Sequence, residues 1–437
     1  MKHPLFKIIE HQKNGRAVGI YSACTANPIV IEAAMERAKE TNSILLVEST
    51  SNQVNQYGGY TQMKPADYAK FIKELAYNTG LDKKQIILGG DHLGPLTFTH
   101  LNEKEAMAEA KELVRQYVLA GYSKIHLDTS MKLNDDDPDS RLADATIARR
   151  GAILCTECEN AYQELLKTNP DAIHPVYIVG SEVPIPGGST ATVESEVEVT
   201  KVEDFKNTVT AFEKAFKEAK IMDAYQYVIA YVVQPGVEEK DSGCTEYDRE
   251  KAKELMASIE SYPNLIFEGH STDYQTKLKL KELVEDGVGI LKVGPGLTYA
   301  MREGLFALSF IEDELYANTN HKTSNFRQVL EDAMLENPGY WQKHYSGNEA
   351  ELVLKRKYSF SDRSRYYMPN EKVVVALDQL FENLKDGVPL NLLSQFMPIE
   401  YTLVRENKVV NKPLELVKSR IKYTIDEYLY GSHQSEI

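Results

Sequence analysis

Two rhythms of apolar residues run through the chain. Short, nearly continuous apolar runs read as strands buried on both faces, and stretches with apolar residues at three- and four-residue spacing read as amphipathic helices. The strand runs cover residues 17–26, 43–50, 85–95, 123–130, 173–184, 225–236, 264–273 and 288–298. Helical patterns cover 5–14, 29–40 (opened by Asn27-Pro28, with the proline near the first turn), 65–79, 102–120 and 138–168. The alternation, with strands spaced roughly 25–50 residues apart, predicts a (β/α)8 TIM barrel of about 300 residues. A doubly wound open sheet is the competing arrangement, but no Gly-x-Gly-x-x-Gly or Gly-x-x-x-x-Gly-Lys motif opens a helix. From about Ser324 the chain is helical and rich in Lys, Tyr and Glu. The expected division is a barrel over 1–323 and a C-terminal helical extension over 324–437.

Composition narrows the class without naming it. The 437 residues are 42% apolar and 26% charged, ordinary for a soluble globular protein. A net charge of −15 argues against non-specific nucleic-acid binding, and implies that an anionic substrate would be held by a local site. Four cysteines (Cys24, Cys155, Cys158, Cys244) are too few for a disulfide framework. Cys155-x-x-Cys158 lacks a second pair to complete a zinc ribbon, and core packing suits it better. No apolar run suits a signal peptide or reaches membrane-spanning length, so no membrane association and a cytoplasmic location are expected.

In a barrel the chemistry belongs at the C-terminal ends of the strands. The strongest signal is QIILGGDHLGP, a buried strand that stops at Gly-Gly and presents Asp91 and His92. Glu182 ends the fifth strand and His270 the seventh. Together His92, Glu182 and His270 would offer one divalent ion (Zn, Mn, Co or Ni) two nitrogens and an oxygen, with positions left for substrate. A lone rim histidine is more often packed than ligating, and a rim glutamate can simply be solvated; the combination carries the argument. Adjacent side chains on an extended backbone point apart, so Asp91 reads as a general acid/base rather than a co-ligand of His92. Asp128 is a second proton carrier or the partner that orients a ligating histidine, although a loop-capping carboxylate explains it equally. Glu48 ends the second strand as a further proton-carrier candidate, with Asn52 and Gln53 after it to hold substrate hydroxyls.

LKVGPGLT opens a helix with two glycines, where free N–H groups favour phosphate. Ser271, Thr272, Gly294 and Gly296 are the phosphate candidates, and a tight Gly-Pro turn is the plain alternative. Lys292 reads as a Schiff-base lysine or, more commonly, as the partner of a carboxylate. Arg363 and Arg365, set among aromatic residues in KYSFSDRSRYYMPN, are structural, interfacial or phosphate-gripping. Two long rim loops, 50–64 and 183–200, interrupt the alternation. The second suggests a small hairpin, read as a mobile lid or as a surface excursion.

At these residues the chain resembles the Z-type subunit of class II tagatose-1,6-bisphosphate aldolase, through VESTSNQVNQYGGYT, ILGGDHLGP, SKIHLDTSM, YIVGSEVPIPGG, VVQPGVE, EGHSTDYQT, LKVGPGLT and YSFSDRSRYY. The resemblance covers nearly the whole chain. It implies a (β/α)8 barrel with a C-terminal helical extension and a role in galactitol, tagatose or N-acetylgalactosamine breakdown. The distantly similar class II aldolases carry an acid/base Asp and a zinc-ligating His on strand three, which Asp91 and His92 match, and a ligand on strand seven, matched by His270. Their strand-five histidine is replaced here by Glu182, and their phosphate loop after strand seven by His270-Ser271-Thr272. The first departure bears on zinc-dependent aldol cleavage while leaving a divalent-metal site. Z-type members have been described as stabilising partners of a Y-type aldolase, as tagatose-6-phosphate kinases, and as metal-dependent 4-epimerases of ketohexoses or their 6-phosphates.

A kinase needs a nucleotide-phosphate loop, and a purely structural subunit needs no Asp-His…Glu…His rim. The expectation is therefore an enzyme that inverts C4 of a ketohexose 6-phosphate, interconverting fructose 6-phosphate and tagatose 6-phosphate by retro-aldol and aldol steps. The alternative is a non-catalytic subunit stabilising a Y-type aldolase. The expected small-molecule partner is a ketohexose or its phosphate, with room for a homo-oligomer.

Overall fold

A computed structural model describes residues 2–181 and 197–437. Glu182 and residues 183–196 of the expected lid lie outside the described residues. Eight barrel strands are present: β1 Ile20–Cys24, β2 Leu45–Thr50, β3 Ile86–Leu93, β4 Lys124–Leu127, β5 Val176–Val179, β6 Val228–Val233, β7 Ile266–Gly269 and β8 Val288–Val293. They are parallel and close in chain order, with β8 pairing back onto β1. The expected (β/α)8 TIM barrel is the fold. A two-stranded hairpin, Glu238–Glu239 with Cys244–Thr245, rises after β6.

Period-two alternation divides the barrel interior into two storeys. The lower one is aliphatic: Ile20, Leu46, Ile87, Val176, Ile178, Ile266 and Ile290 form one buried cluster, floored by Leu5, Ile8 and Ile9 at the N-terminus. Two residues further along the same strand faces the interior turns charged, with Ser22, Glu48, His126, Glu268 and Lys292 all buried. Burying so many charges is costly unless they pair, so this storey must be an ion-pair network or a site.

The C-terminal residues are built into the barrel wall. Helix Pro413–Ser432 packs against helices Pro28–Thr41, Lys277–Glu285 and Pro295–Tyr316. It is held by the Lys418–Glu36 ion pair at 2.5 Å and by the Tyr428 hydroxyl, which donates to the Thr272 carbonyl at 2.8 Å. One apolar cluster runs through both regions, from Val30 and Leu297 to Leu380 and Ile425. No helix among the described residues is long and apolar enough to cross a membrane.

Candidate active site

At the mouth of the barrel, β3 breaks its own alternation. The pairing with β4 shifts register between Gly90 and Leu93, and His92 adopts a left-handed backbone with φ 49°. Such bulges and strained residues re-aim side chains beside sites. Asp91 and His92 consequently face the same cleft, with His92 Nε2 3.7 Å from Asp91 Oδ2. The expectation that neighbouring side chains point apart fails here because the strand is bulged. Gly89 is needed as well, since a Cβ there would run into the Glu48 side chain lying across the barrel.

Three imidazoles meet above the barrel axis. The ring centroids of His92, His126 and His270 are 5.0–5.2 Å apart. His92 Nδ1 is 2.8 Å from Asp128 Oδ2, and Asp128 also accepts from the Ser130 hydroxyl at 2.7 Å. His126 Nδ1 is 2.9 Å from Asp91 Oδ1, and its buried Nε2 has no hydrogen-bond partner among the described residues. His270 Nε2 is 2.9 Å from Glu268 Oε1. Beneath them Lys124 bridges Glu48 at 2.8 Å and Glu268 at 2.7 Å, and Lys292 bridges Glu48 at 2.8 Å and Asp91 at 3.1 Å.

The electrostatics follow from these pairings. Burial alone would raise the Asp91 carboxyl, but His92, Lys292, His126 and His270 outweigh it and hold the group well below the usual range. Asp128, buried but bonded to His92, is lowered to about 2. Burial pushes His270 down to about 4, the neutral form that binds metal. For His92 burial is outweighed by Asp91 and Asp128, and its affinity for a proton rises.

Whether these residues suit a divalent ion can be judged from their charges and free atoms. Two buried ammonium groups, Lys124 and Lys292, face four buried carboxylates, Glu48, Asp91, Asp128 and Glu268. Counted over these lysines and carboxylates alone, that leaves two negative charges over, the charge a divalent cation balances. Among the described residues Asp91, His126, Glu268 and His270 offer ligand atoms that all lie within 4.8 Å of one another. His92, with Nδ1 engaged by Asp128 and Nε2 on the Asp91 side of the cleft, has the carboxylate–histidine arrangement that orients metal ligands. A mixed nitrogen and oxygen set of this kind fits Zn, Mn, Co or Ni.

Of the sequence-derived candidates, Asn52, Gln53, Asp91, His92, His270, Ser271, Lys292, Gly294 and Arg365 line one cleft. Others need correction. Glu48 is fully buried between the two lysines and accepts from Ser22 at 2.6 Å, so it neutralises charge rather than carrying substrate protons. Asp128 is committed to His92 and Ser130, which makes it a positioning residue. Lys292 is tied to Glu48 and Asp91, which raises its pKa well above the usual value and removes the Schiff-base reading. Thr272 is buried and spends its hydroxyl on the Lys292 carbonyl at 2.7 Å. Arg363 turns away to His344 at 3.0 Å. The N–H groups of Gly294 and Gly296, the expected phosphate cradle, donate to Asp273 Oδ1 at 3.0 and 2.7 Å.

The unanticipated residues are His126, Glu268, Asp273 and Glu239, together with Tyr60 and Tyr366, whose rings meet edge-on at 4.9 Å and join the loop after β2 to the extension. For His126 and Glu268 a signal was present: Lys124, His126 and Asp128 alternate with Ile125 and Leu127, and Glu268 with His270, which puts them on the inner faces of β4 and β7. Asp273 and Glu239 sit in loops, with no periodicity to betray them.

Residues 5–433 match the model of the family described as D-tagatose-1,6-bisphosphate aldolase subunit GatZ/KbaZ-like. The chain is 40% identical to a probable tagatose 6 phosphate kinase from Sinorhizobium meliloti 1021, over 94% of this chain and 100% of that one, with a TM-score of 0.85. Weaker matches are a fructose-bisphosphate aldolase from Campylobacter jejuni (16% identity, 93% and 95% coverage, TM-score 0.41) and the YdjI aldolase from Escherichia coli K12 (9%, 84% and 96%, 0.38).

Proposed function

From the premise that this chain belongs to the D-tagatose-1,6-bisphosphate aldolase subunit GatZ/KbaZ-like family, we propose that it is a metal-dependent 4-epimerase of a ketohexose 6-phosphate, interconverting fructose 6-phosphate and tagatose 6-phosphate. The observation that carries this reading is Asp91, an ionised carboxylate beside three buried histidines in one cleft. His92, His126 and His270, with Glu268 and Glu182 as further candidates, would hold the divalent ion. When bound, such an ion supplies Lewis-acid polarisation of the C2 carbonyl.

The chain's own groups do the rest. Asp91 accepts the proton of the C4 hydroxyl as the C3–C4 bond breaks, its electron pair passing into the polarised C2 carbonyl system. C4 leaves as an aldehyde, rotates, and is attacked again by C3 from its other face, and a proton returns to the C4 oxygen. Asn52 and Gln53 at the rim are placed to hold sugar hydroxyls, and Arg365, which lines the cleft, keeps N–H groups for a 6-phosphate beyond those it gives to Ser361, Asp362 and Tyr366. Lys292 and Lys124 pair with Asp91, Glu48 and Glu268 from below, without touching the reacting carbons.

Phosphoryl transfer from a nucleotide is disfavoured, because the glycine-opened helix at the cleft is already capped by Asp273. The family's description as an aldolase subunit supports the alternative of a stabilising partner for a Y-type aldolase. Metal-loaded chain incubated with fructose 6-phosphate should yield tagatose 6-phosphate by chromatography, and a chelator-treated control should not. Inertness toward both phosphorylated and free ketohexoses would leave the partner role.

A further inference from the structure

The end of the cleft formed after β7 and β8 is where a barrel ordinarily offers backbone N–H groups to phosphate. Here that place is filled from within. Asp273, 2% exposed, puts Oδ1 on the N–H groups of Gly294 and Gly296 at the start of helix Pro295–Tyr316. Beside it Glu239, brought in by the small hairpin after β6, is 4% exposed and lines the same cleft. Among the described residues its buried Oε2 has no hydrogen-bond partner. The side chain of Arg365 is tied to the carbonyls of Ser361 and Asp362 and to the Tyr366 hydroxyl. The two carboxyl groups therefore face the cleft with an acceptor to spare, and the N–H groups of Gly294 and Gly296 are already taken.

An unsatisfied buried acceptor is relieved by a neutral O–H donor, and a phosphate dianion brings only further acceptors. We propose that Glu239 and Asp273 form a hydroxymethyl subsite: it takes the unphosphorylated C1 end of a ketose and rejects ketoses phosphorylated at C1. The proposal rests on the reading of this cleft as a ketose site and deepens it. The substrate is a ketohexose or its 6-phosphate, and a 1,6-bisphosphate is not a ligand of this chain. A site built to hydrogen-bond a hydroxyl discriminates strongly against its replacement.

The test is titration calorimetry on the metal-loaded full chain with fructose 6-phosphate, fructose 1-phosphate and fructose 1,6-bisphosphate. The expected result is binding of the 6-phosphate and at least about tenfold weaker binding of both C1-phosphorylated sugars. Asp273→Ser uncaps the Gly294 and Gly296 N–H groups and should tighten the C1-phosphorylated sugars by about tenfold or more. Glu239→Gln, which exchanges a carboxyl oxygen for an amide N–H donor with little change of shape, should narrow the discrimination even where the first variant does not fold. Equal or tighter binding of the 1,6-bisphosphate by the unaltered chain overturns the subsite, and leaves the epimerase standing if fructose 6-phosphate turns over. Discrimination without turnover upholds the subsite and removes only the 4-epimerase. Binding of none of the three sugars overturns both.

Discussion

Asp91 and Asp273 are both buried aspartates on the same cleft, and they hold protons in opposite senses. Burial pushes each carboxyl up. At Asp91 the charges of His92, Lys292, His126 and His270 overcome that push and hold it well below the usual range. At Asp273 burial prevails over two backbone N–H donors and the more distant Arg365, and the group rises to about 6. Its neighbour Glu239, buried and facing another acid, rises to about 8. Burial sets the stakes, and the cations within reach decide the outcome. One end of the cleft thereby holds an ionised carboxylate among histidines and a lysine, and the other holds two carboxyls that keep their protons more tightly.

The largest way to break this contrast is to remove the cation that maintains it. Lys292→Met removes one of the two lysines on Glu48 and the lysine beside Asp91, and moves the Asp91 end toward the Asp273 end. The expected loss is about 3–5 kcal/mol of stability in urea denaturation. An unchanged midpoint would mean that the network is not held as described. Next comes Asp91→Asn, which should lower turnover about 10²–10⁴-fold while the protein still retains metal on dialysis. Parallel loss of metal would instead make Asp91 primarily a ligand. Asp128→Asn, acting through His92, should weaken metal binding about 10–100-fold with the fold intact by circular dichroism.

The smallest effect concerns pH and the opposite end. Glu239 has its pKa raised from 4.5 to about 8, so the folded chain binds this proton more tightly than the unfolded one. Between those values the folded state carries the extra proton, and stability falls as pH rises through the window. Glu239→Gln should remove that slope, gaining on the order of 1 kcal/mol over the unaltered chain at about pH 9 and nothing at about pH 4. Denaturation midpoints at the two pH values measure it.

The barrel was legible because a fully buried parallel strand writes itself as a continuous apolar run, and each of the eight runs holds a strand of the closed sheet. Asp91, His92 and His270 were legible because they end such runs. His126 and Glu268 were harder, since they lie within the strands and their polarity reads as noise in an apolar run. Only the alternation of Lys124, His126 and Asp128 shows that one face of β4 is charged. The end of the cleft around Asp273 was read wrongly in physical terms. A glycine-opened helix start announces free N–H groups, but spacing alone does not reveal that a side chain from the preceding loop already occupies them. Glu48 misled for a related reason, because a strand-end acid looks alike whether it meets substrate or two lysines.

The most direct measurement is the reaction itself, run in D2O with metal-loaded chain and fructose 6-phosphate and analysed by mass spectrometry of the sugar phosphates. Cleavage and re-formation of C3–C4 leaves every carbon-bound hydrogen in place, so the account predicts tagatose 6-phosphate without deuterium on carbon. Tagatose 6-phosphate carrying deuterium at C4, or no tagatose 6-phosphate from the metal-loaded chain, would contradict it.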